Sequence, residues 1–252
     1  MQQRYRLSDW DKRLVDKVLD FFSSLFEKKP VAAKPRVKFV GYHELLRLLK
    51  EPGCPVCRTT EQSLRHYVSI AFVEELTTPE FRLPMRESLG FCERHSRLVR
   101  DFAKGRIRKI GVAIVYEDLI HHAQKLLNLS VAPLPKECLL CDLESEVESY
   151  IVSLISDYGD DNEFEEHYQK SDGCCLHHLR RLIGCTEGSA RSFFLSDHRG
   201  KLRTMLTNLA ELIRKNDYRF AEEKMTQAEI SSWKMAVHFV VGGMEFVDGS
   251  RS

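Results

Sequence analysis

Pro52-Gly53-Cys54-Pro55-Val56-Cys57 opens a pattern that closes at Gly90-Phe91-Cys92-Glu93-Arg94-His95, and the chain then repeats both parts. The second copy runs from Cys138-Leu139-Leu140-Cys141 to Gly173-Cys174-Cys175-Leu176-His177-His178. As spacings the copies read C-x2-C-x34-C-x2-H and C-x2-C-x33-C-x2-H, so the second lacks one residue of the first. Glu80-Phe81 and Glu163-Phe164 stand at matching offsets before Cys92 and Cys175, which marks a duplicated unit. A repeat that keeps three thiols and an imidazole in register needs something for them to hold. The donor set points to a metal ion.

Each half-site has its own local logic. A Cys-x-x-Cys entering a helix aims both sulfurs at one point, where free backbone N–H groups favour thiolates. Pro52-Gly53 and Pro135 supply the preceding turns. In Gly-x-Cys-x-x-His the Cys and His share one face of a helical turn, and Gly90 and Gly173 let the chain turn into that helix. The candidate ligands are therefore Cys54, Cys57, Cys92, His95, Cys138, Cys141, Cys175 and His178. The near-equal internal spacing leads us to expect that each repeat closes its own Cys3His site, completion across copies being the other possibility. Three sulfurs and one nitrogen suit structural zinc, and the same donors can hold an iron–sulfur cluster. Arg58 and Asp142 follow the two Cys-x-x-Cys pairs, where covalent haem attachment needs His. Cys174 and Cys185 remain over, and Cys174 is an alternative to Cys175 as third ligand of the second site.

The wider composition bounds the function. The chain has 252 residues with 38 basic and 37 acidic side chains, a net charge of +1 that argues against bulk electrostatic binding of nucleic acid. Eight cysteines with neither a long apolar run nor a secretory leader suggest a reducing, cytoplasmic compartment, where clustered Cys and His read as metal ligands. A basic stretch lies beside each site (Arg94, Arg97, Arg100, Lys104, Arg106, Arg108 and Lys109; Arg180, Arg181, Arg191, Arg199, Lys201 and Arg203). It could face phosphates or an acidic protein, but nearby Glu144, Glu146 and Glu148 favour partly neutralised, solvated helix faces. Histidines 121 and 122 could face the first site, whereas histidines 66, 167, 177, 198 and 238 have no mate in the repeat.

Apolar periodicity predicts an all-α protein. Helices are expected at 42–50, 55–76, 91–103, 106–128, 137–157, 161–169, 175–183, 190–215 and 218–241, with breaks at Pro79 and Pro84 among other points. Residues 1–28 form an amphipathic helix whose apolar face carries Trp10, Leu14, Val18, Phe21, Phe22, Leu25 and Phe26. A proline-containing linker follows at 29–41, then a first metal-binding unit at 42–132 and a second at 133–252, together one compact domain.

The paired Cys-x-x-Cys and Gly-x-Cys-x-x-His motifs resemble an uncharacterised prokaryotic family classed as a domain of unknown function, over about Tyr42 to Phe246. The resemblance implies a soluble prokaryotic protein with two Cys/His sites and brings no activity with it. Gly173-Cys174-Cys175 departs from the first copy, where Phe91 precedes the ligand. The resulting expectation is a zinc-stabilised interaction or adaptor protein that docks on a larger partner through its N-terminal helix. An iron–sulfur electron-transfer or cluster-carrying subunit is the alternative. An enzyme is disfavoured, because four protein ligands leave no open position on a metal.

Overall fold

The computed structural model describes residues 40–104, 106–129, 135–220 and 222–243, and all regular structure among them is helical. The amphipathic helix expected over 1–28, with the docking role expected of it, lies outside these residues, as does the expected linker 29–41 except for 40 and 41, which are helical. Ten α-helices follow in order: α1 Val40–Leu48, α2 Pro55–Ala71, α3 Pro79–Glu87, α4 Glu93–Phe102, α5 Arg106–Leu126, α6 Leu139–Asp157, α7 Asn162–Lys170, α8 Leu176–Cys185, α9 Gly188–Lys215 and α10 Gln227–Val241. The duplication pairs α2 with α6, α3 with α7, and α4 with α8.

Helix α3 corrects the expected break at Pro79 and Pro84. Pro79 occupies the start of the helix, where its missing N–H has no intrahelical partner to lose. Thr78 caps that end by accepting from Phe81 N. Asp161, its counterpart, caps α7 by accepting from Phe164 N at 2.9 Å. The helix expected over 218–241 is instead a 3-10 turn at Tyr218–Phe220 followed by α10, whose start is fixed by a reciprocal Thr226–Glu229 capping box.

The chain forms two compact units, and the expected consecutive halves, 42–132 and 133–252, are interleaved in them. The described part of one unit lies within Thr60–Val147; that of the other comprises 40–59 and 148–243. Helices α2 and α6 thus begin in one unit and continue in the other, α2 passing over at Thr60 and α6 at Glu148.

Each unit has an aromatic core centred on the repeated Glu-Phe. Phe81 is fully buried with Phe72 edge-on at 5.6 Å, and Phe102 stands 5.9 Å from Phe72. In the other unit Phe164 is fully buried with Tyr168 at 5.6 Å, and Phe194 lies 5.0 Å from Tyr168. The sequence match at these positions is therefore a packing requirement, since each ring buries the area that holds the short third helix on its unit.

Candidate metal centres

Cys54 and Cys57 stand at the start of α2, and Cys138 and Cys141 at the start of α6. Cys92 and Cys175 are the N-cap residues of α4 and α8, with nearly identical backbone angles (φ −60, ψ 166 and φ −64, ψ 166). Gly90 at φ 93 and Gly173 at φ 73 deliver the chain to those caps through the left-handed region, as the motif predicts.

The eight predicted ligands gather into two groups of four, each spanning both repeats. Cluster A is Cys54, Cys57, Cys175 and His178; cluster B is Cys92, His95, Cys138 and Cys141. This overturns the expectation that each repeat closes its own site. The reason lies in helix length. At 1.5 Å per residue, α2 carries the chain about 21 Å away from Cys57 and α6 about 24 Å away from Cys141. The returning helices α3 and α7 have nine residues each and recover only about 13 Å. Each Cys-x-x-His is thus left short of its own pair and meets the pair that opens the other repeat. Backbone contacts fix this exchange: Lys136 N donates to Glu87 O at 2.9 Å, and Gly53 N donates to Asp172 Oδ2 at 2.6 Å.

Both clusters have the dimensions of a single tetrahedral ion. In cluster A, His178 Nδ1 lies 3.6, 3.3 and 3.2 Å from the sulfurs of Cys54, Cys57 and Cys175, and Cys57 is 3.7 Å from Cys175. In cluster B, His95 Nδ1 lies 3.4, 3.6 and 3.5 Å from Cys92, Cys138 and Cys141, and Cys92 is 3.8 Å from Cys141. Zinc bonds of about 2.3 Å to sulfur and about 2.0 Å to nitrogen imply tetrahedral edges of roughly 3.8 Å between sulfurs and roughly 3.5 Å between sulfur and nitrogen.

The surroundings orient these ligands. With Nδ1 turned to the sulfurs, each buried Nε2 faces a carboxylate of α6: His178 at 3.0 Å from Glu148 Oε1, His95 at 3.5 Å from Glu144 Oε2. Such outer carboxylates fix ring orientation and raise ligand basicity. They are held in turn by Arg181 and Arg94 respectively. His238 Nε2 accepts from Cys54 N at 3.1 Å, and His198 Nε2 accepts from Cys174 N at 3.2 Å while its Nδ1 donates to Phe194 O at 2.9 Å. Gly243 N donates to Cys57 Sγ at 3.4 Å, and a Cβ on Gly242 would meet Cys175 Sγ at 3.2 Å. Backbone alone therefore covers that side of cluster A.

Glu144, Glu148, His198, His238 and the Gly242-Gly243 pair are the contributors that sequence reasoning missed. Two acids one turn apart on the helix that follows Cys141 were the available signal for the first two. Cys174 is buried beside cluster A, but Cys175 is the residue grouped with the other ligands. Cys185 is exposed, and His121 and His122 join neither cluster. Of the basic residues beside the two sites, Arg94, Arg97, Lys104, Arg181 and Lys201 are ion-paired.

The thiols titrate unequally. Burial opposes ionisation of Cys54, but hydrogen bonding with Cys174, Cys175, Cys57 and His178 prevails and holds it well below the ordinary thiol range. Burial likewise opposes ionisation of Cys92, and the N–H groups of His95 and Arg94 with the thiols of Cys141 and Cys138 overcome it. Cys141 is pushed up to about 12 by burial and by the charges of Cys138 and Cys92. Cys57 is raised by its hydrogen bonds to Cys175 and Cys54. Cys54 and Cys92 thus ionise readily and disfavour ionisation of Cys57 and Cys141 respectively, an arrangement that a divalent cation reverses.

Residues 121–246 match a family of unknown function (DUF6062), and the chain belongs to that family. It is 25% identical over 206 residues to the "uncharacterized 23.9 kDa protein in xynA 3'region" of Caldicellulosiruptor sp. (strain Rt8B.4), an alignment covering 79% of this chain and 99% of that relative. No solved structure matches the chain. Among the described residues, no helix is long and apolar enough to cross a membrane.

Proposed function

We propose that this chain is a zinc-stabilised helical interaction protein, with one ion in each Cys3His cluster and the amphipathic segment 1–28 as its docking element. The observation that carries the metal reading is the convergence of three sulfurs and one Nδ1 in each cluster at the edge lengths of a single tetrahedral ion. Sulfurs 3.7 and 3.8 Å apart suit one ion better than a four-iron cluster, whose cysteine ligands must surround a cube of irons and sulfides. A site that ties together the starts of distant helices contributes to folding directly, on the order of 10 kcal/mol of apparent binding energy for structural zinc. The docking role is supported by the helical spacing of apolar residues from Trp10 to Phe26 and by the prolines at 30 and 35 that follow this stretch in the sequence.

Metal analysis of the anaerobically purified full chain tests the metal reading: two zinc per chain and no visible absorption are expected, whereas iron with sulfide and a brown colour replace it by the electron-transfer reading. Deletion of residues 1–35 tests docking. It removes a co-purifying partner and leaves both metals bound; unchanged partner recovery ends that part of the proposal.

A further inference from the structure

The two clusters share a ligand set but differ in what lies behind it. The second repeat carries Tyr168 and Cys174 where the first carries Met85 and Phe91. Met85, Tyr168 and Cys174 are fully or almost fully buried and Phe91 is half-buried, so an apolar pair in one copy is a buried pair with a hydroxyl and a thiol in the other. The Cys174 thiol interacts with the Cys54 ligand on one side and with Tyr168 on the other. Tyr168 Oη is fully buried and has no hydrogen-bond partner besides that thiol. A buried hydroxyl and an extra thiol of this kind are costly unless they serve something.

A cavity of about 170 Å³ lies against these groups, lined by Cys54, Cys174, Cys175 and His238 among others. It shares Asp172, Met205 and Met235 with a larger cleft of about 500 Å³ that is lined from α9 and α10. No ligand of cluster B lines either space. The larger cleft has the size of an ordinary small-molecule site, and methionines suit a soft, adaptable occupant.

We propose that Cys174 is an exchanging fifth sulfur of cluster A, through which this cluster passes a thiophilic divalent cation to a small soft-donor acceptor in the adjoining cleft. The inference rests on the metal reading above. Cys174 bonds the cation as the bond to Cys54 breaks, and the proton leaving Cys174 passes to Cys54, so ligand number and charge are unchanged. A thiol acceptor then replaces the remaining protein donors one at a time. Each displaced cysteine, and the displaced imidazole of His178, takes the proton that the acceptor thiol gives up. Cluster B, with Phe91 in place of the fifth sulfur, keeps its ion.

Release of zinc from the loaded full chain to excess of a chromogenic pyridylazo chelator tests this. The wild-type chain is expected to release its metal in a fast and a slow phase. Cys174→Ser slows the fast phase about tenfold, leaves the slow phase unchanged and retains both metals. Cys174→Ala gives the same result, which separates lost exchange from disturbance by the new hydroxyl. Phe91→Cys speeds the slow phase. Unchanged kinetics in the Cys174 variants at full metal content overturn the relay alone. Loss of the cluster A metal in both variants makes Cys174 a resident ligand and overturns it as well. A wild-type chain isolated without metal and unable to take any up overturns the metal reading, and the relay with it.

Discussion

His95 and His178 offer the same nitrogen to three sulfurs, yet their proton affinities are driven apart. Burial and the Arg94 charge pull His95 down to about 4. Burial also disfavours the charged form of His178, but hydrogen bonds with Cys175, Cys54 and Glu148 outweigh it and raise the ring to about 11. Near neutral pH His95 is therefore already neutral, whereas His178 must shed a proton to take a metal. Proton release upon binding makes affinity fall as pH falls, by about tenfold per pH unit for each proton displaced. Cluster A should therefore lose its ion at a higher pH than cluster B, as read by zinc release in an acid titration of single-cluster variants; the reverse order contradicts the assignment. Glu148→Gln should weaken cluster A by about 10–100-fold, and Glu144→Gln should do the same to cluster B. Competition with a chelator of known affinity measures both, and equal affinities in wild type and variants would remove the carboxylates from the site.

Among the elements, α6 is the most heavily used: it opens at cluster B with Cys141 and supplies a carboxylate to each imidazole one turn apart. Its repeat partner α2 has Thr60 and Leu64 at the corresponding positions, so the duplication preserved the ligands and let their support diverge. The short helices α3 and α7 hold register through one aromatic side chain each. Phe81→Ala and Phe164→Ala should each cost about 3–5 kcal/mol in denaturant unfolding of the metal-loaded chain. A loss below 1 kcal/mol in either would show that the metal alone positions the return helix. Gly173→Ala combines a φ of +73 with a Cβ only 2.9 Å from His198 Nε2. It should destabilise by about 1–3 kcal/mol in the same assay and loosen cluster A in particular.

At the scale of the whole molecule, the residues that gather into the two Cys/His clusters and the helical class were legible in the sequence, because thiols in register and apolar residues at helical spacing both report local rules. Which half-site meets which was not. That depends on how far α2 and α6 run before the chain turns back, and the prolines of α3 hid the returning helix whose shortness decides it. Equal spacing in the copies is compatible with closure within a repeat or across repeats, so the ligand count alone left two topologies open. The surroundings of cluster A were invisible for a similar reason: Gly242-Gly243 and His238 reach it from more than 180 positions away from Cys54 and Cys57. Exchange between copies also makes the metal sites depend on the full chain. A fragment ending at residue 132 holds Cys54, Cys57, Cys92 and His95 yet should retain no tightly bound metal at neutral pH, as read by equilibrium dialysis; one bound zinc would show that a repeat can close on itself.

Metal counting in two double variants of the full chain separates the topologies most directly. Cys57→Ser with His178→Ala strikes one cluster twice and should leave one metal bound, whereas Cys57→Ser with His95→Ala strikes both clusters and should leave none. The opposite pattern, a metal kept in the second variant and none in the first, would contradict the crossed arrangement.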